Sequence, residues 1–466
     1  MKNHHLAGAL ILPVALAAAT SCNQCSTSSR FTGAEGEVKL VVLDPGHFHA
    51  ALVQKVSYPQ VNPGVYVYAP QGEDVTQYLN KIASYNNRPE DPTRWNEIIY
   101  TGDDYLARML AEHKGNVVIL AGRNGIKTDY IFKSVSAGLN VLSDKPMAID
   151  AKGFRLLLKA FDAAKKSGAL LYDIMTERYE ATNALQRELA RMPELIGPIE
   201  RGTPNDPAII KESVHHFAKV VSGASLIRPE WYFDTGQQGE GIVDVTTHLV
   251  DLVQWTVAGE EPIDYTKEVN INSSRRWTTP ISRAQYAFVT GKNDFSPALA
   301  PYIKNDTLNV SANGEINYSL RGVNVRVVVR WNYMAPAGTG DTHYALVRGS
   351  KGSVIVRQGA EQNYKPALYV EMAAGQDSVA FKQTLDRCVA QLASDRWPGL
   401  GSERIGPGKW HVTIPASYDV GHEAHFGQVA QKYLHFLVEG KVPDWEIANM
   451  KAKYFTTTTA LERSEK

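Results

Sequence analysis

Three residues in two short segments have side chains suited to proton transfer and charge stabilisation. Asp244 and His248 lie four residues apart in GIVDVTTHLVDLVQW, so one helix would carry both side chains on the same face. Lys145 precedes Pro146 at the end of the strand-like run NVLSDKP. An imidazole accepts a hydroxyl proton near neutral pH, and an ammonium stabilises the resulting alkoxide. The set suits alcohol oxidation, whose hydride needs an acceptor that no side chain supplies. The alternative is a buried Asp–His pair satisfied within the core.

The elements that must position these residues alternate along the first half of the chain. Six short apolar segments have the composition of buried strands, and amphipathic helical patterns separate them. The segments are residues 38–44, 64–70, 96–102, 116–122, 140–146 and 169–175. This alternation predicts an α/β Rossmann domain at residues 38–178, with a doubly wound parallel sheet. Ligands of such sheets bind at the carboxyl ends of the strands, where Gly122 and Asn124 also lie.

The turn after the first strand, DPGHFHAAL, retains part of a dinucleotide-binding pattern. Of the three glycines in G-x-G-x-x-G, only Gly46 is present, and Asp44 and His49 replace the others. We predict that backbone N–H groups of Gly46, His47 and Phe48 bind a pyrophosphate. Asp44 should then point away from the phosphate, toward the N–H groups of the following helix or a neighbouring loop.

The end of the second strand bears on the choice of dinucleotide. Glu73 or Asp74 could reach an adenine ribose, and YAPQGED contains no basic residue. We therefore expect NAD, with NADP less favoured.

Two segments together resemble the Gfo/Idh/MocA oxidoreductases. SAGLNVLSDKPMAI is similar to the family's eaGkhVlcEKPla, with Asp144 in place of glutamate, and GQQGEGIVDVTTHLVDLVQW is similar to GGGaLlDiGvHllDla.wl. The resemblance implies catalytic roles for Lys145, Asp244 and His248, and a cofactor contact at Asp144. It also implies an α+β domain at residues 179–466, with an open, mostly antiparallel sheet, and a homo-oligomer.

Several further residues are candidates for substrate contacts. His215 lies in a strand-like VHHF segment, Trp231 lies in RPEWYFD before the glycines, and His425 lies in GHEAHF. Each could equally be a core or half-exposed residue. GHEAHF does not match H-E-x-x-H and has no identifiable third ligand, so we expect no metal.

The N-terminus has the pattern of a targeting segment. Residues 1–21 resemble a bacterial lipoprotein signal peptide, with Cys22 as the lipidated residue and residues 22–37 as a linker. An ordinary secretory signal is the alternative. We expect a periplasm-facing lipoprotein of the cell envelope, attached to the membrane only by its lipid.

The composition and the motifs together narrow the function. Lys and Arg together number 49, and Asp and Glu together also number 49. The chain therefore lacks the net positive charge that is typical of nucleic-acid-binding proteins. The expected function is NAD-dependent oxidation of a ring hydroxyl of a carbohydrate or glycoside. Two alternatives are a redox-neutral glycoside-cleaving enzyme that recycles its NAD and a non-catalytic sugar-binding lipoprotein.

Overall fold

The computed structural model describes residues 31–464 apart from 222 and 223. The predicted signal peptide, Cys22 and Cys25 therefore lie outside the described residues. Within the described part of the chain, no helix combines the length and apolar content needed to cross a membrane.

The first half forms a six-stranded parallel sheet with the strand order β3-β2-β1-β4-β5-β6. Its central strands, LVVL and VVIL, are buried on both faces, which explains their unbroken apolar composition. The elements are β1 Leu40–Leu43, α1 His49–Leu52, β2 Gly64–Ala69, α2 Glu73–Asn86, β3 Asn96–Thr101, α3 Tyr105–Glu112, β4 Val117–Leu120, α4 Asn124–Ser136, β5 Asn140–Asp144, α5 Ala151–Ser167 and β6 Leu171–Ile174. The predicted doubly wound sheet is confirmed, and its strand order reverses between β1 and β4.

The second half contains a ten-stranded sheet with the order β10-β12-β13-β7-β14-β15-β16-β18-β17, and β11 pairs with β12. All its pairings are antiparallel except β13 with β7. The predicted open, mostly antiparallel sheet is therefore confirmed. The elements are α6 Ala181–Ala190, α7 Pro193–Ile196, β7 Ile209–Ala218, β8 Val220–Val221, β9 Ala224–Ser225, α8 Thr235–Gln238, α9 Thr246–Val257, α10 Tyr265–Glu268, β10 Val269–Ser282, α11 Arg283–Thr290, β11 Ile303–Lys304, β12 Thr307–Leu320, β13 Val323–Met334, β14 Thr342–Arg348, β15 Gly352–Gln358, β16 Ala367–Met372, α12 Ser378–Asp395, β17 Gly401–Gly406, β18 Lys409–Thr413, α13 His422–Glu439 and α14 Asp444–Arg463.

The last two helices return to the first sheet. Phe426, Val429 and Tyr433 of α13 and Tyr454 of α14 are buried in the hydrophobic core of the parallel sheet. The Rossmann core is thus completed by residues from the far end of the chain. The division of the chain at residue 178 stays a prediction.

Candidate functional site

An ion pair joins the two halves of the molecule at the end of β5. Lys145 follows β5, and its Nζ lies 2.6 Å from Asp244 Oδ1. The other oxygen of Asp244 accepts a hydrogen bond from Gln238 Nε2 at 3.1 Å. Burial opposes the charge on Lys145, but the Asp244 and Asp144 carboxylates outweigh it and raise the pKa of Lys145 above its usual value. The ammonium is therefore charged at neutral pH.

His248 lies in the first turn of α9, with 9% of its surface exposed. Its Nδ1 is buried and has no hydrogen-bond partner among the residues that the structure describes. Burial, reinforced by the charge of Lys145, lowers the pKa of His248 well below its usual value. The imidazole is therefore neutral at neutral pH.

The structure corrects the predicted relation between Asp244 and His248. The helix begins at Thr246, so Asp244 lies in the preceding turn and not on the helix. Both carboxylate oxygens of Asp244 are bound by Lys145 and Gln238, so Asp244 holds the ammonium and does not orient the imidazole.

A buried lysine that the sequence analysis missed supports the Lys145 turn. Lys127, on α4, donates through Nζ to the backbone oxygens of Asp144 at 3.1 Å and Pro146 at 3.4 Å. It also donates to Asn124 Oδ1. Burial lowers the pKa of Lys127 to about 8. A lysine within an amphipathic helical pattern is usually exposed. Only its position in the first turn of α4, close to the end of β4, could have indicated that Lys127 supports the site.

Asn124 links α4 to the second half of the chain. Its Nδ2 donates to the backbone oxygen of Gln238 at 2.7 Å, and its Oδ1 accepts from Lys127. Both polar groups of Asn124 thus bind within the protein, and the predicted cofactor contact stays a prediction. Asn124 instead positions the segment whose Gln238 side chain holds Asp244.

The turn after β1 keeps a tight backbone without the full glycine pattern. Asp44 adopts a positive φ of 47°, a conformation that Asp tolerates better than most residues. The N–H of Gly46 donates to Asp44 O at 2.8 Å, and the N–H of His47 donates to Ala121 O at 3.1 Å. These two N–H groups are bound within the protein, so a pyrophosphate would have to displace their partners, and the amide cradle stays a prediction. The helix that follows has only one turn.

One of the two predicted arrangements required Asp44 to cap this helix. The structure contradicts it, because Asp44 does not cap the helix. Its Oδ2 accepts from the Tyr130 hydroxyl at 2.9 Å, and its Oδ1 lies 3.8 Å from Arg123 NH1. The carboxylate thus points toward neighbouring elements, which agrees with the other predicted arrangement.

Gly46 and Gly122 allow close packing around the turn. A Cβ on Gly122 would lie 2.4 Å from Asp44 O, so Gly122 lets the end of β4 pack against the turn. A Cβ on Gly46 would lie 3.2 Å from Trp231 Cζ2 and 3.3 Å from Asp74 Oδ2. The second half of the chain therefore covers the turn with an aromatic ring.

A polar cluster fixes that ring. Trp231 Nε1 donates to Asp74 Oδ2 at 3.0 Å, and Arg123 NH2 donates to the same oxygen at 3.1 Å. Trp231 was predicted as a substrate contact, and the structure places it against the first domain instead.

A cavity of about 310 Å³ lies beside this cluster, at the carboxyl ends of β1 and β2. Its walls combine residues of both halves of the chain. They include Ala69, Gly72, Glu73, Arg123, Trp231 and Lys292. Glu73 and Asp74, predicted to lie near a ribose, both line it, and Lys292 of the second half approaches Glu73 at 3.4 Å.

The second sheet carries a hydrogen-bonded chain of polar side chains. His215, on β7, lies 2.6 Å through Nε2 from Ser213 Oγ and 3.3 Å through Nδ1 from Asp341 Oδ2. Its ring stacks on Trp331 with centroids 5.0 Å apart. Of these, the sequence analysis found only His215, because Asp341 lies more than a hundred residues away in the chain.

The remaining predicted positions lie on other elements. His425 is buried on α13, and its ring lies 6.3 Å from that of His422. Phe48 is 40% exposed. Asp144 is buried and hydrogen-bonded to His49 Nδ1 at 3.0 Å, so its carboxylate is already engaged.

The fold and site are those of a Rossmann domain whose β5 end is joined to a mostly antiparallel domain by the Lys145–Asp244 ion pair. A family model described as "Putative oxidoreductase C terminal domain" matches residues 185–465, and the chain belongs to this family. Its parallel sheet followed by a mostly antiparallel sheet is the architecture that the sequence resemblance implied. No curated protein matches the chain.

Solved structures agree with this assignment. The chain is 55% identical to a protein described as a putative oxidoreductase from Parabacteroides merdae, with a TM-score of 0.92 over 93% of this chain and 99% of that one. Biliverdin reductase from Synechocystis, in complex with biliverdin and NADP+, is 10% identical with a TM-score of 0.55 over 92% and 99%. The 3-ketoreductase KijD10 from Actinomadura kijaniata, with NADP and TDP-benzene, is 12% identical with a TM-score of 0.54 over 92% and 98%. The last two share the fold.

Proposed function

We propose that this protein is a nicotinamide-dinucleotide-dependent oxidoreductase that acts on a hydroxyl group of a carbohydrate or glycoside. The observation that carries the proposal is the Lys145–Asp244 ion pair at the carboxyl end of β5, close enough to the buried His248 of α9 for the ammonium to lower the pKa of that imidazole. Charge stabilisation and proton acceptance are the two functions that alcohol oxidation requires of side chains.

The residues at the strand ends fit a dinucleotide in a modified way. The cavity lies where an adenosine half binds in this fold, with Glu73 and Asp74 in reach of ribose hydroxyls. Arg123 would supply a guanidinium for the phosphates, in exchange for part of its contacts with Asp74 at 3.1 Å and Asp44 at 3.8 Å. Carboxylates at this end favour NAD over NADP. Two structural neighbours were solved with NADP+ or NADP, which supports the cofactor class.

The chain's own residues would act on the hydroxyl in sequence. His248 accepts the hydroxyl proton at a ring nitrogen, and Lys145 stabilises the negative charge that develops on the oxygen. Asp244 keeps the ammonium in place through its 2.6 Å contact. When bound, the dinucleotide supplies the hydride acceptor.

The face of the second sheet suits a sugar. His215, Asp341 and Lys219 provide polar groups that could bind sugar hydroxyls. Trp331 is 7% exposed and stacks against His215 and Phe217, so its ring supports His215.

Envelope anchoring is a separate proposal that depends on the sequence. We propose that Cys22 is lipidated and holds the protein at the membrane. Cys22→Ser should move the protein from the membrane fraction to the soluble fraction on cell fractionation. A variant that still pellets with membranes would refute the anchor.

The cofactor proposal is tested by binding. Calorimetric titration with NAD and NADP should show one dinucleotide per chain, with NAD tighter. Arg123→Gln should weaken binding roughly 10- to 100-fold, because a hydrogen bond to a charged group contributes about 1.5–3 kcal/mol.

Arg94→Gln, at an exposed arginine outside the cavity, is the matched control and should bind normally. If the wild type binds no dinucleotide and none copurifies on native mass spectrometry, the enzyme proposal fails and the sugar-binding alternative is favoured. With the cofactor established, reduction of NAD is then followed over a panel of sugars and glycosides.

A further inference from the structure

A cluster of metal-binding side chains lies beside the Lys145 turn. His47 and His49 come from the turn after β1 and the start of α1, and Asp144 is the last residue of β5. One ligand atom of each lies within 4.8 Å of the others. Asp144 is 4% exposed and His49 is 8% exposed, so this is not a surface group of acids.

The three ligand atoms, all within 4.8 Å of one another, would have to draw together to share one ion. Zinc binds nitrogen and oxygen at about 2.0–2.2 Å, so ligand atoms on one tetrahedral ion lie roughly 3.3–3.5 Å apart. His49 Nδ1 and Asp144 Oδ2 are already 3.0 Å apart. The rings of His47 and His49 lie edge to face, with centroids 4.1 Å apart, as two imidazoles directed at one point can do.

We propose that His47, His49 and Asp144 bind a divalent first-row transition-metal ion, with Zn²⁺ as the reference ion. Two imidazoles and one carboxylate form a three-ligand set that leaves at least one coordination position for an oxygen from water or a bound molecule. This proposal goes beyond the proposed oxidoreductase activity and does not depend on it.

Neighbouring charges are compatible with the ion. Lys145 follows Asp144 in the chain, but its charge is paired with Asp244 at 2.6 Å. Lys127 donates to the backbone oxygen of Asp144 and so fixes the end of β5 that presents the carboxylate. Such support of a ligand by a neighbouring hydrogen bond is common at metal sites.

A purely structural hydrogen bond accounts for less of the arrangement. The contact between His49 and Asp144 explains those two side chains. His47 Nδ1 accepts from the His49 N–H at 3.3 Å, and that bond occupies only one of the two ring nitrogens of His47. The ion also accounts for the departure of DPGHFHAAL from the glycine pattern, because His49 replaces the third glycine and supplies a ligand.

The test measures bound metal and not activity. The untagged chain is stripped with a chelator, dialysed, and titrated with Zn²⁺ and with Co²⁺ by calorimetry, and the visible spectrum of the Co²⁺ form is recorded. The expected result is one ion per chain and ligand-field bands of Co²⁺. His47→Gln and His49→Gln should each weaken Zn²⁺ binding at least about 10- to 100-fold, which is the cost of losing even an orienting partner.

Two further variants make the test specific. Asp144→Asn keeps the side-chain shape and should also weaken binding, whereas His435→Ala, on an exposed histidine of α13, should bind like the wild type. Circular dichroism confirms that each variant is folded. The proposal is overturned if the wild type binds no Zn²⁺ or Co²⁺, or if the three ligand variants bind as tightly as His435→Ala. A dinucleotide titration on the stripped protein separates this outcome from failure of the proposed function.

Discussion

At the scale of single residues, the reactivity of the site follows from which charges are paired. Lys145 keeps its proton because Asp244 compensates its charge, and His248 stays neutral because it is buried without such a partner. Sequence spacing selected all three residues. It did not reveal the ion pair between Lys145 and Asp244, which joins elements 99 residues apart in the chain.

The first residue-scale prediction concerns the proton acceptor. His248→Ala should lower turnover roughly 10²- to 10⁴-fold, because general-base catalysis contributes about that much. The fold should persist, as judged by circular dichroism, and dinucleotide affinity should change little. His435→Ala is the control at an exposed histidine. Wild-type turnover in His248→Ala would exclude His248 from the mechanism.

The second residue-scale prediction concerns the pH dependence of kcat/KM. An ordinary histidine base gives a loss of kcat/KM as the pH falls through about 6.5. Because burial and Lys145 lower the pKa of His248, its deprotonated form should persist below that value. The acid limb of the kcat/KM profile should therefore lie below about pH 6.5. A limb at or above the ordinary histidine value would show that the imidazole is not held neutral.

At the scale of elements, the sequence predicted the strands on either side of the turn after β1, but it did not predict the hydrogen bonds of that turn. Short apolar segments between helical patterns predicted all six parallel strands. Strands β1, β4, β5 and β6 are buried throughout, which leaves an unbroken apolar signature, whereas β3 is largely exposed. The state of the Gly46 and His47 N–H groups was not predictable. It depends on a carbonyl at the end of β4 and on local turn geometry, neither of which leaves a periodic pattern.

The element-scale prediction tests the packing of this turn. A Cβ at position 46 would already lie 3.2 Å from Trp231 and 3.3 Å from Asp74. The two methyl groups of Gly46→Val would add further atoms against these side chains. Trp231 must then move, and dinucleotide binding measured by calorimetry should be lost. Asp44→Asn is the matched variant, because Asn tolerates the positive φ at this position and keeps the side-chain shape. It should bind almost as well as the wild type, and equal binding by both variants would show that the packing is unimportant.

At the scale of the whole molecule, a buried charge network joins the first domain to the second half of the chain. Asp251 of α9 binds Arg178 Nε at 2.6 Å and Lys453 Nζ of α14 at 2.9 Å. Lys453 also lies 2.7 Å from Asp173 of β6, and Arg178 binds Glu446. The family motif pointed to Asp251, but its partners come from distant helices that no local pattern connects.

The last prediction follows from this network. Burial alone would raise the pKa of Asp251, but Arg178 and Lys453 outweigh it and hold the pKa below its usual value. A lowered folded pKa stabilises the protein above the unfolded value of about 3.9, and that stabilisation is lost as the pH falls toward the folded pKa. Asp251→Asn should cost about 3–5 kcal/mol of unfolding free energy at pH 7, because it leaves buried cations unpaired.

The variant should also lose stability less steeply than the wild type below about pH 4, since it lacks this titrating group. Urea denaturation followed by circular dichroism over a pH series measures both effects. Asp386→Asn, at a carboxylate whose side chain is 53% exposed, is the control and should change stability little. Parallel pH dependences for the wild type and Asp251→Asn would contradict the assignment, and an unfolding free energy unchanged at pH 7 would show that the network does not hold the two halves together.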